Sequence, residues 1–207
     1  MKIKSRRYYV YAFACIAGFF VGILPLKLGI LLAGLISKAV YLLSEKERER
    51  TLDNLWRAFP EKSAREIEGI ARGVFSNVCK NAVELVNTYK LNRRTVDKWV
   101  DCDGAEKIDE ALAKGKGYIA LASHFGNWEL IPIYFSLKGV KANIIVRRIY
   151  FERYDRFIQG MRQSKGVNII YRDESPRKIL RALKQNEGVG ILADQDVDSV
   201  DGVFVDF

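Results

Sequence analysis

The sequence predicts an α/β protein: a mostly parallel sheet with flanking helices, preceded by an apolar N-terminal membrane-associated helical segment. Three observations carry this. Four short apolar runs, 118–122 (YIALA), 143–146 (NIIV), 167–171 (VNIIY) and 189–193 (VGILA), alternate with helical stretches near 128–137, 152–164 and 176–185. Residues 45–115 read as helical, and the first 44 residues are dominated by two apolar runs with basic flanks.

The strands of a parallel sheet are buried on both faces, so they read as continuous apolar runs rather than alternating ones. Alternation of such runs with helices argues for α/β architecture. The expected division is therefore an N-terminal segment, 1–44, and an α/β domain, 45–207, made of a helical lead-in, 45–115, and a core, 116–207.

Within the lead-in, Ser63 and Glu66 have capping-box spacing, in which a serine hydroxyl and a glutamate carboxylate satisfy free amides at a helix start. Ile67, Ile70, Ala71, Val74, Phe75, Val78 and Ala82 follow at helical spacing. Pro60 separates this helix from an earlier one around 51–59.

The N-terminal segment opens with Lys2, Lys4, Arg6 and Arg7. Apolar runs follow over 8–24 and 28–43, with Pro25 and Lys27 between them. A spanning helix needs about 20 apolar residues, with roughly 17 as a lower limit. The first run sits at that limit and the second falls short. Lys46, Arg48 and Arg50 follow, and basic flanks favour the cytoplasmic side. Two shallow segments bent at Pro25, one tilted anchor, and a buried helix pair of a soluble domain all satisfy this pattern.

Composition narrows the chemistry. The net charge of +9 attracts phosphates on nucleic acid, anionic lipid or an acidic carrier. Arg147, Arg148, Arg153, Arg156 and Arg162 suggest nucleic acid, but no recognised nucleic-acid-binding signature accompanies them. The three cysteines, Cys15, Cys79 and Cys102, have no paired spacing, which fits a reducing environment. His124 is the single histidine, so no metal site built on several histidines is expected.

Polar groups gather at the carboxyl ends of the expected strands. His124 follows the first, Arg147 and Arg148 the second, and Asp194 and Asp196 the fourth. In open α/β sheets that edge is where ligands bind. In SHFGNWEL, Gly126 permits a tight bend and Asn127 is a suitable helix N-cap. Glu129 then falls on the first helical turn, where its carboxylate can turn back to the imidazole. A carboxylate on one ring nitrogen fixes the tautomer and leaves the other free to accept a proton, the arrangement of a general base. A histidine tied to a glutamate for stability alone satisfies the same spacing. Arg147 equally suits a surface ion pair with Glu152 or Asp155, and the aspartates suit a cap on the strand-to-loop turn.

At SHFGNWEL the chain resembles the bacterial lipid A biosynthesis acyltransferase family, the lauroyl and myristoyl acyltransferases. Its hallmark is a histidine, four residues and an acidic residue, here His124 and Glu129. The basic, apolar N-terminus, NIIVRRIYFERYDRFIQGMRQSKG with Arg147 and Arg162, GVGILADQD and GVFVDF extend the resemblance over nearly the whole chain.

The resemblance implies transfer of a fatty acyl group from acyl carrier protein, or coenzyme A, to a hydroxyl of a lipid A precursor. His124 is implied as general base and Glu129 as its orienting partner. Arg147, Arg162, Asp194, Asp196 and Asn127 are implied as substrate-binding, with Arg147 on a phosphate or the oxyanion. No metal or redox cofactor and no nucleic acid is implied. The implied partners are acyl carrier protein and a membrane lipid acceptor, at the cytoplasmic face of the bacterial inner membrane. A related branch acylates mannosylated phosphatidylinositol. Family members are longer than this chain, so a sheet incomplete at the C-terminus, and an inactive truncated membrane protein, are further expectations.

Overall fold

The computed structural model describes residues 2–195. Asp196 and the GVFVDF stretch lie outside them. The chain divides after Leu91 into two compact units.

The first unit is helical. Helices α1 (Lys2–Ile23) and α2 (Leu26–Leu43) are separated at Pro25, followed by α3 (Glu45–Ala58) and α4 (Ala64–Asn87). Pro25 is extended, with φ −55° and ψ 135°, and begins α2 where a missing amide proton costs nothing. The capping box forms at α4: Glu66 N–H donates to Ser63 Oγ, and Ser63 N–H donates to Glu66 Oε2 at 2.9 Å. Helix α3 starts earlier than expected, at Glu45, directly after Ser44.

Helix α2 buries Gly29, Ala33, Ser37 and Tyr41, each four residues from the last and so on one face. That face meets α4; a Cβ on Gly29 would stand 2.9 Å from Val83 Cγ1. Tyr41 meets Phe75 edge to face at 5.1 Å, over Ala71, with Val40, Leu52 and Leu55 around them. The large residues of α2 point the other way: Leu28, Leu31, Leu32, Leu35, Ile36, Leu42 and Leu43 are exposed. Small residues inside and leucines outside invert the pattern of a water-soluble helix and match helix packing in lipid, where small residues let backbones approach. Among the described residues, α2 is the one helix long and apolar enough to cross a membrane by length and composition; Tyr8–Ile23 is shorter. The sequence ranked the two runs the other way, because Leu26 and Lys27 could not be assigned to the second helix.

The second unit carries the sheet. Its elements are α5 (Glu106–Ala113), β1 (Tyr118–Ala122), α6 (Leu130–Leu137), β2 (Ala142–Val146), α7 (Glu152–Ser164), β3 (Asn168–Tyr171), α8 (Ser175–Lys184) and β4 (Gly188–Leu192). The four strands are parallel in the order β1-β4-β2-β3. The fourth strand of the described residues therefore inserts between the first two, pairing Tyr118 with Gly188 and Ala122 with Leu192. Gly117 enters β1 at φ +66°, and a Cβ there would lie 2.6 Å from the Glu187 carbonyl oxygen. Asn186, itself at φ 58°, locks this corner: its Oδ1 accepts from Gly117 N–H at 2.8 Å, and its Nδ2 donates to Leu112 O at 2.9 Å.

Candidate active site

The pairing of β1 with β4 makes the site. The strands run on side by side past their last paired residues, with Ala193 N–H donating to Ala122 O. Two residues beyond the Ala122–Leu192 pair, His124 stands beside Asp194. The His124 backbone N–H donates to Asp194 Oδ2 at 2.7 Å, and Nδ1 lies 2.8 Å from Asp194 Oδ1. The ring hydrogen bond from His124, helped by its backbone N–H, holds the Asp194 carboxyl below its ordinary range. An ionised carboxylate only accepts, so the proton between them is assigned to Nδ1. Nε2 is then the nitrogen available for a proton. Trp128 meets the imidazole edge to face, 5.0 Å between centroids.

Glu129 does not meet the imidazole in this way. Its carboxylate is gripped by Arg162: Nε donates to Oε2 at 2.8 Å, and Nη2 donates to Oε1. Both side chains are largely buried, at 12% and 13% exposure. Arg162 Nη1 also donates to Gln159 Oε1 at 2.9 Å, which ties the guanidinium to its own helix. The expectation that Glu129 turns to His124 is thus corrected at the level of contact: the carboxylate on Nδ1 is that of Asp194. The reason is competition. A planar guanidinium offers Glu129 two parallel charge-assisted bonds, which an imidazole cannot match.

Asn127 is not the helix cap expected of it. Helix α6 begins at Leu130, with Glu129 in the capping position, and Leu130 N–H donates to the Asn127 carbonyl. Gly126 makes the bend at φ +57°, leaving Phe125 87% exposed.

Arg147 is exposed and has no ion-pair partner among the described residues. The acids anticipated for it are engaged elsewhere. Glu152 pairs with Arg156, and Asp155 accepts from Ile149 N–H, Tyr171 Oη and Gln159 Nε2. Arg148 instead takes the surface role, paired with Asp173 and Glu174 and stacked 3.7 Å over the Tyr171 ring.

A cavity of about 690 Å³, including its open mouth, lies along one face of the sheet. Its floor is Tyr118, Ala120 and Ala122 of β1 with Gly188 and Gly190 of β4, and β2 contributes Ala142 to Val146. Ile131, Pro132 and Phe135 of α6 roof it, and Trp128, Glu129 and Arg162 stand at its polar end. The rest of the lining is aliphatic and aromatic apart from Asn143, whose Nδ2 donates to Glu187 Oε2 at 3.0 Å and to Gly188 O at 3.1 Å. Among the described residues no three metal-ligating side chains converge.

Sequence reasoning named His124, Asp194, Glu129 and Arg162 but missed their pairings, and it did not single out Gln159 or Trp128. The signal for His124 with Asp194 was the placement of both at strand ends, which is informative only once β1 and β4 are known to be neighbours.

The family model described as bacterial lipid A biosynthesis acyltransferase matches residues 1–207. The chain is 24% identical over 172 residues to a lipid A biosynthesis acyltransferase 2 of Shigella flexneri, covering 83% of this chain and 55% of that protein. It is 28% identical over 131 residues to a phosphatidylinositol mannoside acyltransferase of Mycobacterium tuberculosis, covering 60% and 41%. A lipid A biosynthesis myristoyltransferase of Escherichia coli K12 is 23% identical over 165 residues, covering 80% and 51%. The chain spans about half the length of the curated relatives it matches.

Proposed function

The chain belongs to the bacterial lipid A biosynthesis acyltransferase family, and from that premise we propose that it transfers a fatty acyl group from a thioester to a hydroxyl of a glycolipid. The observation that carries this reading is the His124 imidazole, held by Asp194 at the carboxyl edge of a parallel sheet and packed against Trp128, which lines the apolar cavity.

In this reading Nε2 of His124 takes the proton of the acceptor hydroxyl as its oxygen attacks the thioester carbonyl. The tetrahedral intermediate collapses to the new ester and expels the thiolate, which takes the proton back from the imidazolium. Asp194 keeps the tautomer and balances the positive charge on the ring. Glu129 and Arg162, paired with each other and tied to Gln159, form a rigid polar wall at one end of the cavity, against which the thioester is placed. Arg147, exposed and without an ion-pair partner among the described residues, binds a phosphate of donor or acceptor. The acyl chain occupies the apolar cavity.

The donor is acyl carrier protein, an acidic partner suited to the net charge of +9. The acceptor is a lipid A precursor, in keeping with the names of two relatives, a lipid A biosynthesis acyltransferase and a lipid A biosynthesis myristoyltransferase. A phosphatidylinositol mannoside is the second acceptor to test, because the highest identity among these three relatives is to an acyltransferase of that substrate. The outward leucines of α2, with the basic residues that flank it, support attachment to the inner membrane from its cytoplasmic face.

The test is acyl transfer in membranes carrying the chain, with labelled acyl carrier protein and either acceptor. Product from the parent, lost at least about 100-fold in His124→Ala, is expected for a general base. Equal transfer by parent and variant would overturn the mechanism. No transfer by the parent, beside an active relative, would overturn the activity of this chain.

A further inference from the structure

The apolar cavity extends along the sheet away from the catalytic edge, to the amino ends of β1 and β2. Glu129 and Arg162 mark its polar end, near the carboxyl ends of the strands, and Tyr118 and Ala142 lie at the opposite, amino ends. Between them β1 and β4 present Ala120 and Gly190, which stand in register and leave the space above the sheet open. The length of β1 from Ala122 to Tyr118 is about 13 Å at the rise of an extended strand.

Tyr118 interrupts this open floor. Its register partner is Gly188, and its ring lies over that glycine: a Cβ on Gly188 would stand 2.4 Å from Tyr118 Cζ and 2.5 Å from Oη. The phenol therefore crosses from β1 over β4, toward Ala142, which pairs with Gly188 on the other side. Gly188 is what allows the ring to lie down. Burial pushes the phenol pKa up, so the group stays uncharged against an apolar chain.

Resting on the reading of the cavity as the acyl site, we propose that the Tyr118 ring is the stop that limits the length of acyl chain the enzyme accepts. The cavity admits methylenes until the terminal methyl meets the ring. Shortening the side chain opens the amino end of the sheet, and a larger ring at the same place raises the stop.

The experiment compares the parent with Tyr118→Ala, Tyr118→Phe and Tyr118→Trp, each as the full chain in membranes, with a graded series of saturated acyl thioesters. Tyr118→Ala should move the optimum to longer chains, favouring each further methylene it buries by about fourfold relative to the parent. Tyr118→Trp should move it to shorter chains. Tyr118→Phe should leave it in place, because the ring and not its hydroxyl is the stop. The same variants in detergent are titrated with free fatty acids of graded length against a fluorescent fatty acid probe, a readout that needs no turnover. An optimum unchanged in both Tyr118→Ala and Tyr118→Trp, in a parent that transfers or binds acyl chains, overturns the stop and leaves the acyl reading intact. A length limit that moves in the binding titration, without transfer from any donor, overturns the activity and supports the stop. A parent that neither transfers nor binds overturns both. If Tyr118→Ala does not fold, Tyr118→Trp against Tyr118→Phe carries the same comparison.

Discussion

Asp194 accepts two hydrogen bonds from one residue seventy positions away, the backbone N–H of His124 at 2.7 Å and its ring Nδ1 at 2.8 Å. The double contact fixes both where the imidazole starts and which way it faces. In Asp194→Asn the side chain keeps its shape but loses its charge, and its amide can present a donor to Nδ1. Acyl transfer should fall by about 10³–10⁴-fold, by analogy with the loss when an orienting aspartate is neutralised in a Ser-His-Asp triad. The decisive readout is kcat measured beside the melting temperature. A kcat within a few-fold of the parent would show that Asp194 does not orient the base.

The Glu129–Arg162 pair behaves differently, because its charges are mostly removed from water. Removing either partner strands the other, and a stability loss of roughly 3 kcal/mol is expected for Glu129→Gln or Arg162→Met. The double variant should lose less than the sum of the two. Denaturant midpoints over the four-member cycle measure this, and simple additivity would mean that the pair is not coupled.

Arg147 should separate binding from folding. It is exposed and no ion pair among the described residues holds it, so Arg147→Ala should change stability by no more than about 0.5 kcal/mol. Its effect should instead be a higher KM for the phosphate-bearing substrate at nearly constant kcat. Steady-state kinetics at two salt concentrations, with a melt alongside, test this; an unchanged KM would remove Arg147 from the site.

Acid stability should depend in part on Asp155. Burial works against its charged form, but hydrogen bonds from Ile149 N–H, Tyr171 Oη and Gln159 Nε2, with Arg148 nearby, outweigh it and hold the carboxyl below its ordinary range. A lowered folded pKa means that ionised Asp155 stabilises the fold above its unfolded value, near 3.8. The contribution shrinks as pH falls through that value and is gone once pH passes below the folded one. Asp155→Asn should therefore be less stable than the parent at neutral pH and show a shallower loss below pH 4. Parallel pH profiles for the two proteins would exclude this role.

The sequence by itself determined the local structure of this chain. The runs YIALA, NIIV, VNIIY and VGILA became strands within a residue of their expected limits, because short apolar runs bounded by glycine and polar residues have few other solutions. Residues 152–164 became a helix with those bounds, and Ser63 with Glu66 closed the expected box. Those features depend on neighbours a few residues apart. Which strand lies beside which depends on how whole faces are buried, and no local pattern records that β4 returns between β1 and β2. Only the tertiary structure could therefore give His124 to Asp194 and Glu129 to Arg162. It likewise turned the leucines of α2 outward, because the fit of Gly29, Ala33 and Ser37 against α4 decides which face of an almost wholly apolar helix is buried. The residues of the site were legible in sequence; their partners were not, since hydrogen bonds across a parallel sheet are set by register between segments seventy residues apart.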